Sequence, residues 1–146
     1  MTSDDFEIRR RAGLYLVLAL LCVGLAVGFG WLVRDRDEPL LAVPAVVLVL
    51  LAANLVRGLR DSRTPLFVAD DHGVRLRADE GWVGLLWSEM GEIRVERREG
   101  VRHDPRIKVV STDGLRFYTS PLGLATDASP GEAEVQLARR RAAAAY

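Results

Sequence analysis

Side chains suited to acid–base, nucleophilic or metal chemistry are few here: His72, His103 and Cys22 are the only histidines and cysteine in 146 residues. His72 follows Asp70 and Asp71, three oxygen and nitrogen ligands in one short stretch. A metal cage built on them needs further ligands from elsewhere. Followed by Gly73, the run reads instead as a solvated turn. His103-Asp104 lies in the polar loop from Arg97 to Pro105, with no serine or cysteine beside it. A Ser-His-Asp arrangement would draw on Ser88, Ser111 or Ser120, none of which sits in a nucleophile elbow. No glycine-rich phosphate loop follows a strand. A single cysteine excludes an internal disulfide and a multi-cysteine zinc site. The reading is a non-enzymatic chain with no catalytic residue, no cofactor and no metal.

Two features are suited to binding instead. Arg57, Arg60 and Arg63 form a basic set that Arg139, Arg140 and Arg141 can extend. Beside an anionic leaflet each such charge contributes about 1 kcal/mol at most, so the set is a candidate anionic-lipid contact as well as a determinant of membrane topology. The second feature is the segment Gly81–Trp87. With Val83, Leu85 and Trp87 turned inward, Trp82 and Leu86 face outward as a candidate partner or membrane surface. The other reading buries the strand on both faces.

The elements that must carry these residues fall into two halves. Twenty Lys+Arg balance twenty Asp+Glu, which argues against nucleic-acid binding through a bulk basic surface. The average hides a strong asymmetry. Ala12–Val33 and Pro39–Val56 carry no charge. At about 1.5 Å per residue these runs span roughly 33 Å and 27 Å, which fits a hydrocarbon core about 30 Å thick. A signal peptide has a shorter apolar region, about 7 to 15 residues, and a small-residue cleavage pattern. The run exits through Gly28-Phe29-Gly30-Trp31 instead, and Leu20-Leu21 before Cys22 excludes a lipoprotein box. Arg34–Glu38 is too short to hold a domain, so the runs form an antiparallel transmembrane hairpin. Three arginines before it (Arg9, Arg10, Arg11) and three after it outnumber the two in the loop, which places both termini in the cytoplasm. Gly24 and Gly28 form a G-x-x-x-G spacing that permits close packing against the second helix, lipid or another copy, a homo-oligomer contact.

Beyond Arg57 the period falls to two. Leu66–Val68, Val74–Leu76, Trp82–Trp87, Ile93–Val95, Ile107–Val109 and Leu115–Tyr118 read as strands, with Leu122 and Leu124 as a last edge. Asp70–Gly73 and Asp113-Gly114 mark turns. Short, evenly spaced strands imply an antiparallel barrel or sandwich. Ser129 caps a terminal helix over residues 132–145, with Pro130 in its first turn. The fold class is therefore α+β: residues 1–11 a cytoplasmic tail, 12–63 the hairpin and basic linker, 64–146 a small β domain with a C-terminal helix.

With Asp71-His72-Gly73-Val74 between the first two strands and Trp87-Ser88-Glu89-Met90-x-x-Ile93 leading into the fourth, the chain resembles bacterial pleckstrin-homology-like membrane proteins. The resemblance covers residues 64–145, with the hairpin as a common companion. It implies a seven-stranded curved sheet capped by a C-terminal helix, and no enzymatic activity. From Arg57 onward 15 basic residues meet 14 acidic ones, unlike a strongly basic lipid-binding domain.

These readings lead to one expectation: a multi-pass protein of the bacterial inner membrane that presents its β domain to a membrane or membrane-proximal protein partner. The alternatives are an accessory subunit of a transporter or cell-envelope complex, or a sensor of anionic lipid.

Overall fold

Residues 4–97, 99–101 and 104–146 are described in a computed structural model. The chain folds into two units: residues 11–63, and a second unit that joins residues 64–146 to the segment preceding the first helix.

The first unit is a helical hairpin. Uninterrupted apolar sequence forms α1 (Ala12–Arg36), which ends where Asp37 takes a left-handed conformation. One 3-10 turn (Pro39–Leu41) leads into α2 (Ala42–Asp61). Pro44 falls in the first turn of α2, where its missing N–H costs no helical bond. Both helices are long and apolar enough to cross a bilayer. Their buried or half-buried positions recur at alternating spacings of four and three: Tyr15, Ala19, Cys22, Ala26 and Phe29 on α1, and Ala45, Leu48, Ala52 and Leu55 on α2. Such spacing keeps one seam facing a partner helix over its whole length. Near its open end Gly58 receives the Tyr15 ring, 2.6 Å from where a Cβ would stand. Gly24 and Gly28 lie off this seam, and beyond their own helix no atom of the described residues comes within 4 Å of an added Cβ. Their spacing does not pack α1 against α2.

The second unit contains two antiparallel sheets. One has the order β1 (Phe6–Ile8), β2 (Phe67–Ala69), β3 (Gly73–Ala78), β4 (Gly81–Leu86); the other has β5 (Met90–Glu96), β6 (Arg106–Ser111), β7 (Phe117–Pro121). Val74 and Leu76 are buried between exposed Arg75 and Arg77, as the period of two requires. Gly114, at φ +69°, closes the β6–β7 connection, where the Gly114 N–H donates to the Ser111 carbonyl. α3 (Pro130–Ala144) starts at Ser129, whose hydroxyl accepts the Glu132 N–H at 3.2 Å. Its Ala133 and Leu137 complete a core shared with Phe6, Ile8, Phe67, Leu76, Ile107 and Val109 from both sheets. Arg140 lies over the Phe6 ring and donates to the Asp4 carbonyl.

Three expectations need correction. The residues read as a tail include β1, whose Phe6 and Ile8 are buried and pair with Ala69 and Phe67. A two-residue alternation about a glutamate is enough for an edge strand when its partner supplies the rest of the ladder. The sheets do not close into a barrel: a one-turn 3-10 helix (Trp87–Glu89) carries the chain from one sheet to the other without pairing β4 to β5. Leu122 and Leu124 do not form an edge strand either. Leu122 drops into the core and Leu124 projects from a turn held by Thr126, whose hydroxyl accepts the Gly123 N–H.

Candidate interaction surface

Asp70, His72 and the Trp87-Ser88-Glu89 step come together, and their chemistry is mutual support. The Asp70 carboxylate accepts the backbone N–H groups of His72 (2.8 Å) and Gly73 (2.9 Å), closing the β2–β3 turn. Its second oxygen accepts from Arg75 at 3.0 Å. The Trp87 indole N–H donates to the Asp70 carbonyl at 3.0 Å, and the Trp87 backbone N–H donates to the His72 carbonyl. Glu89 accepts the Leu86 N–H at 3.0 Å. The motif residues thus lash the β2–β3 turn to the end of β4. Of these residues Asp70, His72 and Glu89 also line a groove of about 320 Å³, whose two carboxylates already have partners. Gly73 is required here, since a Cβ would stand 2.1 Å from the Leu85 carbonyl oxygen.

Burial pushes the Asp70 carboxyl up, but the His72 and Gly73 N–H groups and the Arg75 guanidinium outweigh it and hold the group below its ordinary value. A depressed folded-state pKa means stability that is present above the unfolded value and lost as pH falls through the folded one. Asp70→Asn is therefore expected to flatten the acid limb of a stability–pH curve below about pH 4, while lowering stability at neutral pH. Parallel urea titrations from pH 7 down to 3 check this; an unchanged acid limb contradicts it.

The other candidates are dispersed. His72 is exposed, with its Nδ1 4.0 Å from Asp70. His103 lies outside the described residues, while its neighbour Asp104 is exposed. The Ser120 hydroxyl is buried in β7 with no hydrogen-bond partner among the described residues. Ser111 donates to Asp113, holding that carboxyl below its ordinary value, and Ser88 is exposed in the 3-10 turn. Among the described residues no three His, Cys, Asp or Glu side chains gather around a common point. Arg57, Arg60 and Arg63 are exposed over the last turns of α2 and just beyond it. Of the C-terminal trio, Arg141 donates to the Gly91 carbonyl and Arg140 to Gln136.

Trp82 and Leu86 are 49% and 52% exposed on the outer face of β4, while Leu85 and Trp87 pack against the core. Cross-strand, Trp82 pairs with Arg77, Gly84 with Arg75 and Leu86 with Gly73. The outer face of β3–β4 therefore presents an indole and a leucine four positions apart, with Gly84 between them on that face and two arginines alongside. Sequence alternation marks both residues as outward; their different heights on the sheet emerge only from the register. Leu115 and Phe117 form a further exposed apolar pair near the β6–β7 turn that the strand pattern alone does not single out.

Comparison with protein-family models, with curated proteins and with solved structures gives no match.

Proposed function

We propose that this chain is a membrane-anchored interaction module without enzymatic activity, in which a transmembrane hairpin holds a small β domain against one face of the bilayer for a protein partner. The pairing of β1 with β2 carries the reading. These strands flank the hairpin in sequence and form one sheet, so both ends of the hairpin return to the same folded unit. A chain built this way keeps its two flanks on one side of the membrane. The hairpin's outward side chains support the bilayer: Leu16, Val17, Leu20 and Val27 on α1, and Val46 and Leu50 on α2, are exposed. In water so continuous an apolar surface would drive aggregation; in hydrocarbon it is solvated.

Four strands, then three, then a C-terminal helix support the pleckstrin-homology-like reading, with the hairpin standing in the first strand connection. The arginine excess on the flanks supports a cytoplasmic position for this domain, and the reading is completed by an inner membrane of a bacterial cell as the bilayer. Tethering raises the local concentration of the domain near membrane partners, so a modest intrinsic affinity suffices. A second reading, a small subunit of a larger membrane assembly, is favoured by the uncovered Gly24–Gly28 face of α1, which permits a close helix neighbour or a second copy.

Cysteine labelling in a Cys22→Ala background tests the topology. Asp35→Cys is expected to react with an impermeant maleimide on intact cells, and Asp113→Cys only after permeabilisation. Photocrosslinking from Leu86 in native membranes then tests for the partner. A discrete protein adduct supports the module; a correctly inserted chain that yields only lipid adducts argues against it.

A further inference from the structure

The register of the first sheet fixes which of its ends is tied to the hairpin. Ile8 pairs with Phe67, Phe67 with Leu76 and Leu76 with Val83. Past Ile8 the chain stays extended through Arg10, which bridges Thr126, before α1 begins at Ala12. On the return, α2 ends at Asp61 and the chain re-enters the sheet at Leu66, whose N–H donates to the Ile8 carbonyl. Both covalent links to the hairpin therefore leave from the Ile8–Phe67 end. At no more than about 3.6 Å per residue, the link from Ile8 to Ala12 reaches about 14 Å at full stretch. The apolar run begins at Ala12 itself.

The β3–β4 hairpin continues past this end. β3 runs on to Ala78 and β4 returns from Gly81, so the turn extends two residues beyond the Phe67–Leu76 rung, about 7 Å at 3.4 Å per residue. Trp82 stands on the overhang, paired with Arg77, whose N–H donates to the Leu66 carbonyl. Leu86 sits four residues further along β4, at the opposite end. The two outward apolar residues of β4 thus belong to different surroundings, and only Trp82 shares a rung with the linker to α2.

We propose that Trp82 is an interfacial anchor that seats the β3–β4 turn in the head-group layer of the bilayer its own hairpin spans. The proposal rests on the membrane reading above and adds a second contact to it. An indole with an apolar body and a polar N–H favours that layer. Arg77 beside it offers donors to phosphate oxygens. Asp79 and Glu80 at the tip oppose an anionic surface and match the cationic half of a zwitterionic head group, so the occupant is zwitterionic phospholipid.

The test uses the full-length chain in phosphatidylcholine vesicles, comparing wild type with Trp82→Phe and with Trp31→Phe. The emission lost in Trp82→Phe is expected to be blue-shifted relative to aqueous indole. It is also expected to be quenched by lipids spin-labelled near the head group and shielded from aqueous iodide. Spin-labelled Glu80→Cys in a Cys22→Ala background gives an independent reading: low accessibility to a water-soluble nickel chelate supports the anchor, and free accessibility overturns it. A Trp82 component open to iodide, or shielded from iodide and lipid labels alike as a protein contact would make it, also overturns it. Quenching of the Trp31 component by lipid labels, with retention on vesicles after alkaline carbonate, reports the hairpin separately. If that fails, the membrane reading falls; if only the Trp82 signal fails, the anchor alone does.

Discussion

A chain in which Arg10 is joined to Thr64 by a short glycine-serine linker, with the hairpin excised, is expected to be a folded, monomeric, water-soluble domain. The same domain begun at Thr64 is expected to aggregate. The difference is β1. Its removal takes Phe6 and Ile8 out of the core and bares the edge of β2, all three of whose residues are buried. Two large apolar side chains at about 1.5–3 kcal/mol each amount to roughly 3–6 kcal/mol, against a total stability of about 5–15 kcal/mol for a typical domain. The bare edge is also a template for pairing with other chains. Size-exclusion chromatography and amide exchange on the two proteins decide the matter. Equal folding of both would mean that β1 is an ornament of the sheet and that the hairpin is held at one end only.

In that excised protein Phe67→Ala is expected to cost about 3–5 kcal/mol, the usual range for emptying a fully enclosed aromatic site. Phe67 is 0% exposed and stands between Ile8 and Leu76 on neighbouring strands, so the cavity has walls on both sides that cannot collapse without breaking the ladder. Phe117→Ala provides the contrast. At 64% exposed, this residue should change stability by no more than about 0.5 kcal/mol. Urea midpoints at constant m-value read both. A small effect at Phe67 would show that the strands on either side of the hairpin do not share a core.

Most of the secondary structure was legible because its signals are local. Two uncharged runs declare themselves by length alone. Arg75 and Arg77 between Val74 and Leu76 announce a one-sided strand, and Ser129-Pro130 with Glu132 announces a helix start. Strand β1 lacked such a signal. Phe6-Glu7-Ile8 is too short for a period to stand out, and its partner lies beyond the whole hairpin, so only long-range pairing reveals it. The split into two sheets was equally hidden, because alternation tells which face a residue takes but not which strand it meets. The site reading divides the same way. The outward direction of Trp82 and Leu86 follows from alternation with Val83 and Leu85. That the two belong to opposite ends of the sheet follows from register, which one strand cannot disclose. The Asp70 and Trp87 motifs were visible as spacing, yet the tie between the β2–β3 turn and the end of β4 depends on a contact between residues seventeen positions apart.

On the proposed membrane topology, the hairpin's place between β1 and β2 also sets an order of assembly during synthesis. The ribosome delivers the first strand long before the second, and the insertion machinery must accept both apolar segments in between. Until it has done so, the early strand has nothing to pair with, and loop closure over so long a stretch is slow for an unassisted chain. In that topology, insertion of the hairpin shortens the search by bringing the two strand-bearing ends to one face of the bilayer. Completion of the sheet thus becomes a checkpoint on correct insertion: a polypeptide with one segment left out of the membrane strands its leading residues on the far side and leaves an open β edge for proteases to find.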